Sequence, residues 1–246
     1  MFYEERVVAF IDILGFKSSI DKSATDKKEF KRIITALNDL KDLFSDTEEN
    51  DNDYDGIDFS DIDTQIIQVS DSLIISRLIN EEAGIFHMLQ DCSFATHMLI
   101  ENGFLCRGSI KYGSMYHKGT TVFGPAFVEA VETEKKISLP IITFNKDILD
   151  IVRLYPASAN KPIVEWEINF ILEDCIKLNK NEYYLDYFTD YGRRTGRDAS
   201  KHYTKLRNII INGLKMTKNS KAYSKLLWAK EQFNLNSRFH QIDIIP

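Results

Sequence analysis

One short segment near the N-terminus limits the fold of this chain: VVAFIDILGFKSSI, residues 7–20. Its apolar run from Val7 to Ile11 has the length and composition of a buried strand. The run ends on a single carboxylate, Asp12, and Gly15 then permits a bend into a polar helix. Because a lone, partly buried acid is costly without a charged neighbour, the sequence predicts a charged group beside Asp12.

Apolar periodicity predicts the next elements. Residues 27–44 and 81–102 carry apolar side chains at helical spacing, which indicates two amphipathic helices. Between them, TQIIQVSDSLIISRL reads as a hairpin with a turn at Ser70 and Asp71, and FLCRGSIKYGSMYH returns to strand character. The order β, α, β, β, α, β predicts an α+β fold with a ferredoxin-like palm core.

The second half of the chain is predicted to be an accessory part. The segment YPASANKPIVEW has two prolines and small polar residues, so we place a domain boundary there, with a catalytic-type domain at 1–155 and a smaller, mostly helical part at 156–246. The stretch EINFILEDCIKL either continues a strand or begins an accessory element, and residues 200–234 read as helical.

Composition excludes several classes of partner. The net charge is −6 and the pI is near 5.5, so the chain lacks the basic excess of proteins that bind nucleic-acid backbones. The N-terminus lacks a basic region followed by a long apolar stretch, and the sequence has no run of about 18 apolar residues. We therefore expect a cytoplasmic protein that binds neither nucleic acid nor a membrane.

The distribution of cysteine and histidine limits the kind of metal site. Cys92, Cys106 and Cys175 form no CxxC pair, which is typical of a reducing compartment, and the five histidines are scattered. No pair has zinc-ligand spacing. Any metal bound by this chain is therefore expected to have oxygen ligands.

Two aspartates stand at positions that a palm-type sheet brings together. Asp12 closes the first strand, and Asp71 lies at the tip of the hairpin that should pair beside it. Divalent cations would relieve the repulsion between two such carboxylates, and oxygen ligands favour Mg²⁺ or Mn²⁺. Aspartate is also common as a helix cap and in hairpin turns, so a purely structural use of each acid stays open.

The bend after Asp12 predicts a site for anions. If a helix begins near Gly15, its first main-chain N–H groups have no partner within the helix and point toward an anion. A triphosphate suits such a site. The predicted donors are the N–H groups of Ile13, Leu14, Gly15, Phe16 and Lys17.

Three segments together resemble the signature blocks of class III nucleotidyl cyclases: FIDILGF, QVSDSLII and CRGSIKYGSMYHKGTTVFGPAFVEAVETEKK. In that family a strand ends on F-x-D-I-x-G-F, a hairpin carries G-D-S, and a third strand reads R-x-G-I-x-x-G before a glycine and a helix. The resemblance covers roughly residues 7–145 and is strongest toward the bacterial pyrimidine cyclases of the Pycsar antiphage system.

The resemblance implies a reaction and a site. Asp12 and Asp71 would hold two Mn²⁺ or Mg²⁺ ions, with the carbonyl oxygen of Ile13 as a further ligand. The ribose 3′-hydroxyl of a nucleoside triphosphate would attack the α-phosphate, releasing pyrophosphate and a 3′,5′-cyclic nucleotide. Such enzymes are homodimers with sites at the interface. The N–H groups implied to hold the phosphates are those of Gly15, Phe16 and Lys17.

Four positions depart from the purine cyclases. An ungapped match puts Val128 and Glu132 where those enzymes carry an asparagine and an arginine, and puts Ile67 and Thr121 where they read the base. The departures favour a pyrimidine substrate, UTP or CTP, with Tyr54 as one candidate for reading it. They also leave open a second interpretation, a catalytically silent cyclase-like module that senses nucleotides or dimerises.

The developing charge on phosphorus requires a cation. Arg107, which opens the third block, is the first candidate, and a structural ion pair is the alternative use of this residue. Lys17 at the phosphate end of the turn is a second candidate, although a solvated lysine is common in a first helical turn. A third group is predicted to be solvated surface: Arg193, Arg194, Arg197 and Lys201.

Overall fold

The computed structural model describes residues 3–49 and 63–246. The strands are β1 Glu4–Ile13, β2 Gln65–Val69, β3 Ser72–Leu78, β4 Cys106–Lys118, β5 Thr121–Phe123, β6 Ile142–Asn145, β7 Cys175–Lys177 and β8 Glu182–Leu185. The α-helices are α1 Phe16–Ser23, α2 Lys27–Glu49, α3 Gly84–Glu101, α4 Pro125–Lys136, α5 Ile148–Leu154, α6 Val164–Leu172, α7 Tyr191–Thr195, α8 Ala199–Met216, α9 Ser220–Leu235 and α10 Ser237–His240. A 3₁₀ helix covers Ser158–Ile163.

The central sheet has the strand order β2-β3-β1-β4-β6-β8-β7, and β5 pairs with β4. Strand β1 runs antiparallel to both β3 and β4, and β2 runs antiparallel to β3. These four strands and the helices that join them are a ferredoxin-like core. The predicted α+β palm is therefore confirmed, with α1 and α2 together forming the first crossover.

Alternation along β1 divides its side chains between two layers. Val7, Ala9 and Ile11 lie in the main core, which α2 and α3 cover. Val8 and Phe10 point to the other face and pack in a smaller cluster with residues of α4. Because side chains of a strand alternate between faces, Asp12 continues the α4 face.

The predicted accessory part contributes to the same sheet. Strand β8 pairs with β6, and β7 pairs with β8. The open alternative for EINFILEDCIKL resolves into helix α6 followed by strand β7. Helices α8 and α9 bury a second apolar cluster that includes Ile100, Leu105 and Ile141 from the first part. The division of roles at residue 155 stays a prediction.

The acidic segment after α2 is only partly described. Helix α2 runs to Glu49, five residues beyond the helix predicted for residues 27–44. Tyr54, the candidate for reading the base, lies outside the described residues. Within residues 3–49 and 63–246, every helix is too short or too polar to cross a lipid bilayer.

Candidate active site

The two predicted acids lie at adjacent strand ends. Asp12 pairs with Ser72 in the register of β1 and β3. One residue on, the N–H of Ile13 donates a hydrogen bond of 2.9 Å to the carbonyl oxygen of Asp71. Asp71 is the second residue of the turn between β2 and β3, and the first, Ser70, has φ 56. The hairpin tip is thus fixed against the end of β1.

The carboxylates affect each other electrostatically. The Asp12 side chain is 23% exposed. Burial raises its pKa above the usual value, the negative charge of Asp71 raises it further, and Arg107 opposes both effects. Asp12 is therefore an acid whose ionised form lacks sufficient positive charge nearby, and a bound cation would supply it.

The main chain adds an oxygen to this pair. In an extended strand the N–H and C=O of one residue point to the same side, so the carbonyl of Ile13, like its N–H, faces the hairpin tip that carries Asp71. Among the described residues no three His, Cys, Asp or Glu side chains form a metal-sized group. Mg²⁺ is commonly held by one or two carboxylates together with substrate phosphates. The oxygens of Asp12, Asp71 and Ile13 fit that kind of site.

Two of the predicted phosphate-binding N–H groups have other partners. The N–H of Ile13 is bonded to Asp71, and the N–H of Leu14 donates to the carbonyl oxygen of Leu105 at 2.8 Å. Both bonds extend the sheet pairing past Asp12. The expectation that Ile13 and Leu14 contribute to an anion site is therefore wrong.

The remaining three donors lie at the start of α1. Gly15 precedes the helix with φ 77, a left-handed conformation that glycine adopts without strain, and no side chain caps the helix. Phe16 is the first helical residue and its side chain is buried, whereas Lys17 is exposed. First-turn N–H groups have no acceptor within a helix. Gly15, Phe16 and Lys17 thus stand three to five residues after Asp12 with donors suited to an anion.

Arg107 faces Asp12 across β1 and β4. The two residues are paired in register, with 3.6 Å between Arg107 Nε and Asp12 Oδ2. The guanidinium also forms an ion pair with Glu134 of α4 and donates through Nη1 to the carbonyl oxygen of Ile137 at 3.2 Å. Arg107 is therefore engaged in a structural ion pair and is also a cation beside the predicted metal ligand.

Sequence reasoning missed two charged residues near this site. Glu134 is buried, and its pKa is raised by burial and by Asp12 against the effect of Arg107. Lys225 of α9 is half-buried, and its charge acts on Asp12, Arg107 and Glu134. Nothing in the local sequence distinguishes Glu134. Lys225 precedes Ala229 and Phe233 at intervals of four, so it falls on the apolar face of its helix, and this was a signal that sequence analysis could have used.

The second-half arginines form a separate group. Arg194 is only 8% exposed in its side chain and bonds Asp174 at 2.8 Å and Asp190 at 2.9 Å. Arg193 pairs with Glu173 at 3.2 Å. The prediction of a solvated surface is wrong for Arg194. Arg197 and Lys201 are exposed.

The positions that depart from the purine cyclases have two environments. Val128 and Glu132 lie exposed on α4, with Val128 52% exposed. Ile67 is buried in the cluster under α4, and Thr121 is exposed at the start of β5. A buried isoleucine offers no hydrogen bond to a base.

Comparison with solved structures finds distant likenesses. The adenylyl cyclase CyaB from P. aeruginosa is 12% identical, with 75% of this chain and 94% of that chain covered and a TM-score of 0.44. The catalytic core of a rhodopsin-guanylyl cyclase with converted specificity, in complex with ATPαS, is 11% identical, with 74% and 95% covered and a TM-score of 0.44. A bacterial light-regulated adenylyl cyclase is 11% identical, with 85% and 100% covered and a TM-score of 0.43. No protein-family model and no curated protein sequence matches the chain.

Proposed function

We propose that this protein is a nucleotidyl cyclase that converts a pyrimidine nucleoside triphosphate, UTP or CTP, to its 3′,5′-cyclic mononucleotide and pyrophosphate. The observation that supports this most is the hydrogen bond from Ile13 to Asp71, because it holds the hairpin acid beside the strand that ends on Asp12. The three sequence blocks that resemble class III cyclases contain Asp12, Asp71 and Arg107.

In this mechanism the chain binds the substrate from two sides. The N–H groups of Gly15, Phe16 and Lys17 hold phosphate oxygens at the start of α1. Asp12 and Asp71, with the carbonyl of Ile13, would hold Mn²⁺ or Mg²⁺. Such ions would supply positive charge that stabilises the phosphoryl transfer.

The reaction needs orientation and charge more than covalent help from the protein. The bond from O3′ to the α-phosphorus forms, the bond from that phosphorus to the pyrophosphate oxygen breaks, and the proton of the 3′-hydroxyl passes to solvent water. The Arg107 charge beside Asp12 is oriented by Glu134 and by the carbonyl of Ile137. A charge fixed in advance stabilises the phosphoryl transition state without reorganising during the reaction.

The substrate class follows from two positions. Ile67 is 9% exposed and apolar, so this position lacks the polar group that reads a purine. Thr121 carries neither the charge nor the length of the corresponding purine readers. These two departures, together with the resemblance, support a pyrimidine substrate.

The proposal also includes an oligomeric state and a cellular role. Cyclases of the resembled class act as homodimers with sites at the interface, so a second copy of this chain is proposed as the partner. The resemblance implies that the enzyme makes a second messenger in antiphage defence, and the composition of the chain favours a cytoplasmic location.

The test is a product assay. The purified chain is incubated with ATP, GTP, CTP and UTP in separate tubes with Mn²⁺, and products are separated by chromatography. Cyclic UMP or cyclic CMP is expected, and it should be absent with Asp12→Asn and with Asp71→Asn. The exposed acid Asp21 of α1 gives the matched control, because Asp21→Asn removes one charge nearby without touching the site.

The alternative is a silent nucleotide-binding module, favoured by the exposed Val128 and Glu132. It predicts intact triphosphates in all four tubes together with measurable binding of a nucleotide. Cyclic purine products would instead contradict the pyrimidine preference and leave the cyclase chemistry standing.

A further inference from the structure

Helix α9 presents a lysine on its buried face. Residues four apart lie on one face of a helix, so Lys225, Ala229 and Phe233 form one stripe. Ala229 and Phe233 are fully buried at 0% exposed, and Lys225 is the half-buried end of the stripe. A lysine at this place can lay its methylene stem along the packed surface while its amino group stays accessible to solvent and to a ligand.

The packing of α9 fixes that end of the stripe. A Cβ added at Gly213 of α8 would lie 2.8 Å from Leu226 Cδ1, so the two helices approach closely at Leu226, the residue after Lys225. The Asn219 side chain accepts hydrogen bonds from the N–H groups of Lys221 and Ala222, which fixes the start of the helix.

Helices α8 and α9 share an apolar cluster with both segments that flank the acid site. Leu14, two residues after Asp12, and Ile137, whose carbonyl accepts from Arg107, pack against this cluster, and so does Leu226, the residue after Lys225. The start of α9 and the segments that flank the site are therefore arranged around one cluster.

Charge is consistent with this placement. The charge of Lys225 lowers the pKa of Asp12 and of Glu134, while burial and the charge of Arg107 lower the pKa of Lys225 itself. Arg107 is already bonded to Glu134 and Ile137. In the part of the chain that the structure describes, Lys225 has no hydrogen bond or ion pair, so its three donors are available to a ligand.

We propose that Lys225 binds the phosphate oxygens of the nucleoside triphosphate, so that the C-terminal helical part completes the active site of the same chain. The site would then hold the triphosphate between the N–H groups at the start of α1 and a lysine from α9. A compact ammonium group is a common phosphate ligand. This inference rests on the proposed function.

The test is a binding measurement that needs no turnover. The probe is 3′-deoxy-UTP, which lacks the attacking hydroxyl, with UDP and UMP as shorter ligands, each titrated in Mn²⁺ by calorimetry. Lys225→Gln should weaken triphosphate binding roughly tenfold to a hundredfold, the range expected for loss of a hydrogen bond to a charged group. The loss should shrink from triphosphate to monophosphate, and Lys225→Arg should restore most of the affinity.

The matched control is Lys221→Gln, which removes the same charge from an exposed position one turn earlier on α9. It should bind all three ligands as the unmodified protein does. Equal affinities of Lys225→Gln and Lys221→Gln for the triphosphate would overturn the inference. An equal loss of affinity for UMP and for the triphosphate would also overturn it, because the effect of a purely structural lysine would not depend on the number of phosphate groups.

The two proposals fail separately. If the unmodified chain makes a cyclic product and triphosphate binding is unchanged in Lys225→Gln, the role of Lys225 is refuted and the cyclase activity stands. If triphosphate binding depends on Lys225 but no cyclic product forms, the cyclase activity is refuted and the role of Lys225 stands. Absence of binding of each of the four nucleoside triphosphates by the unmodified chain refutes both.

Discussion

The N–H of Ile13 donates to the carbonyl oxygen of Asp71 at 2.9 Å, which joins the end of β1 to the tip of the β2–β3 hairpin. This main-chain bond brings together two acids that are far apart along the sequence. It depends on the shape of a two-residue turn, since a change in that turn would shift the Asp71 carboxylate relative to Asp12.

The turn itself can be tested at Ser70, which has φ 56. A β-branched residue is strained in the left-handed region by roughly 1–2 kcal/mol, whereas glycine is not. Ser70→Val should therefore lower the free energy of unfolding by about that amount relative to Ser70→Gly. Denaturant titration measures the difference. If Ser70→Val has a free energy of unfolding at least as large as that of Ser70→Gly, the described turn is contradicted.

Removal of the Asp12 charge should raise the stability of the protein and lower its activity. Because the folded-state pKa of Asp12 is raised, chiefly by burial, the folded protein binds its proton more tightly than the unfolded chain does. The contribution of Asp12 to stability therefore falls as pH rises above the ordinary aspartate range. In metal-free buffer at pH 7, Asp12→Asn should melt above the unmodified protein. In buffer with Mn²⁺, its proposed cyclase activity should be lower by a factor on the order of 10² or more.

The control for this prediction is the effect of Mn²⁺ on the melting temperature. Mn²⁺ should raise the melting temperature of the unmodified protein and of Asp21→Asn, and should have little effect on Asp12→Asn. An Asp12→Asn variant that is destabilised without metal would show that Arg107 outweighs burial at this carboxylate.

The Arg107–Glu134 pair can be measured by a double-mutant cycle. Glu134 is buried and bonds the guanidinium of Arg107. Glu134→Ala should cost about 1–3 kcal/mol of unfolding free energy, since it leaves a charged donor partly desolvated. Arg107→Ala should cost less once Glu134 is absent. Additive losses in the double variant would show that the two residues do not interact.

A chain of close polar contacts joins α3 and α8 to Asp190, the residue before α7. His97 Nε2 lies 2.9 Å from Asp190 Oδ1, His97 Nδ1 lies 3.1 Å from His202 Nε2, and His202 Nδ1 lies 2.7 Å from Glu101 Oε1. Burial and the charge of His97 lower the pKa of His202 to about 4.

Acid titration tests this pair. The folded-state pKa of His202 lies below the usual 6.5, so the unfolded chain binds more protons between about pH 6.5 and pH 4, and stability falls as the pH is lowered through that window. The shift from 6.5 to about 4 corresponds to roughly 3 kcal/mol at its lower end. In His202→Gln the pH dependence of unfolding should be shallower.

His117 must be separated from His202 in that experiment. Burial and the charge of Arg6 lower the pKa of His117 to about 4 as well, so it contributes in the same window. His117→Gln and His202→Gln should each flatten part of the curve, and the double variant should be flattest. Identical curves for His202→Gln and the unmodified protein would contradict the lowered pKa of His202.

Truncation tests how far the two parts depend on each other. A fragment of residues 1–155 loses β8, the partner of β6, and uncovers Ile100 and Ile141, which are 0% and 1% exposed in the whole chain. Exposed apolar surface and an open strand edge favour aggregation. The fragment should give little soluble protein and no cooperative melting. A sharp melting transition would show that residues 156–246 are dispensable for folding.

Periodicity was sufficient to predict the core elements. The alternation in QVSDSLII predicted a hairpin with its turn at Ser70 and Asp71, and the helical spacing of residues 81–102 predicted α3. The segment EINFILEDCIKL was undecided, because a short apolar run is compatible with a buried strand or a helix. Tertiary packing resolved it into α6 and β7.

The sequence alone determined which carboxylates stand at strand ends, because a strand and a tight turn are specified by residues that are neighbours in the chain. Only the tertiary structure decided which cations face them. Glu134 meets Arg107, and Lys225 from α9 acts on Asp12, through packing between helices and a sheet that are distant in sequence. Such contacts depend on how apolar faces fit against each other, and local periodicity carries no information about that fit.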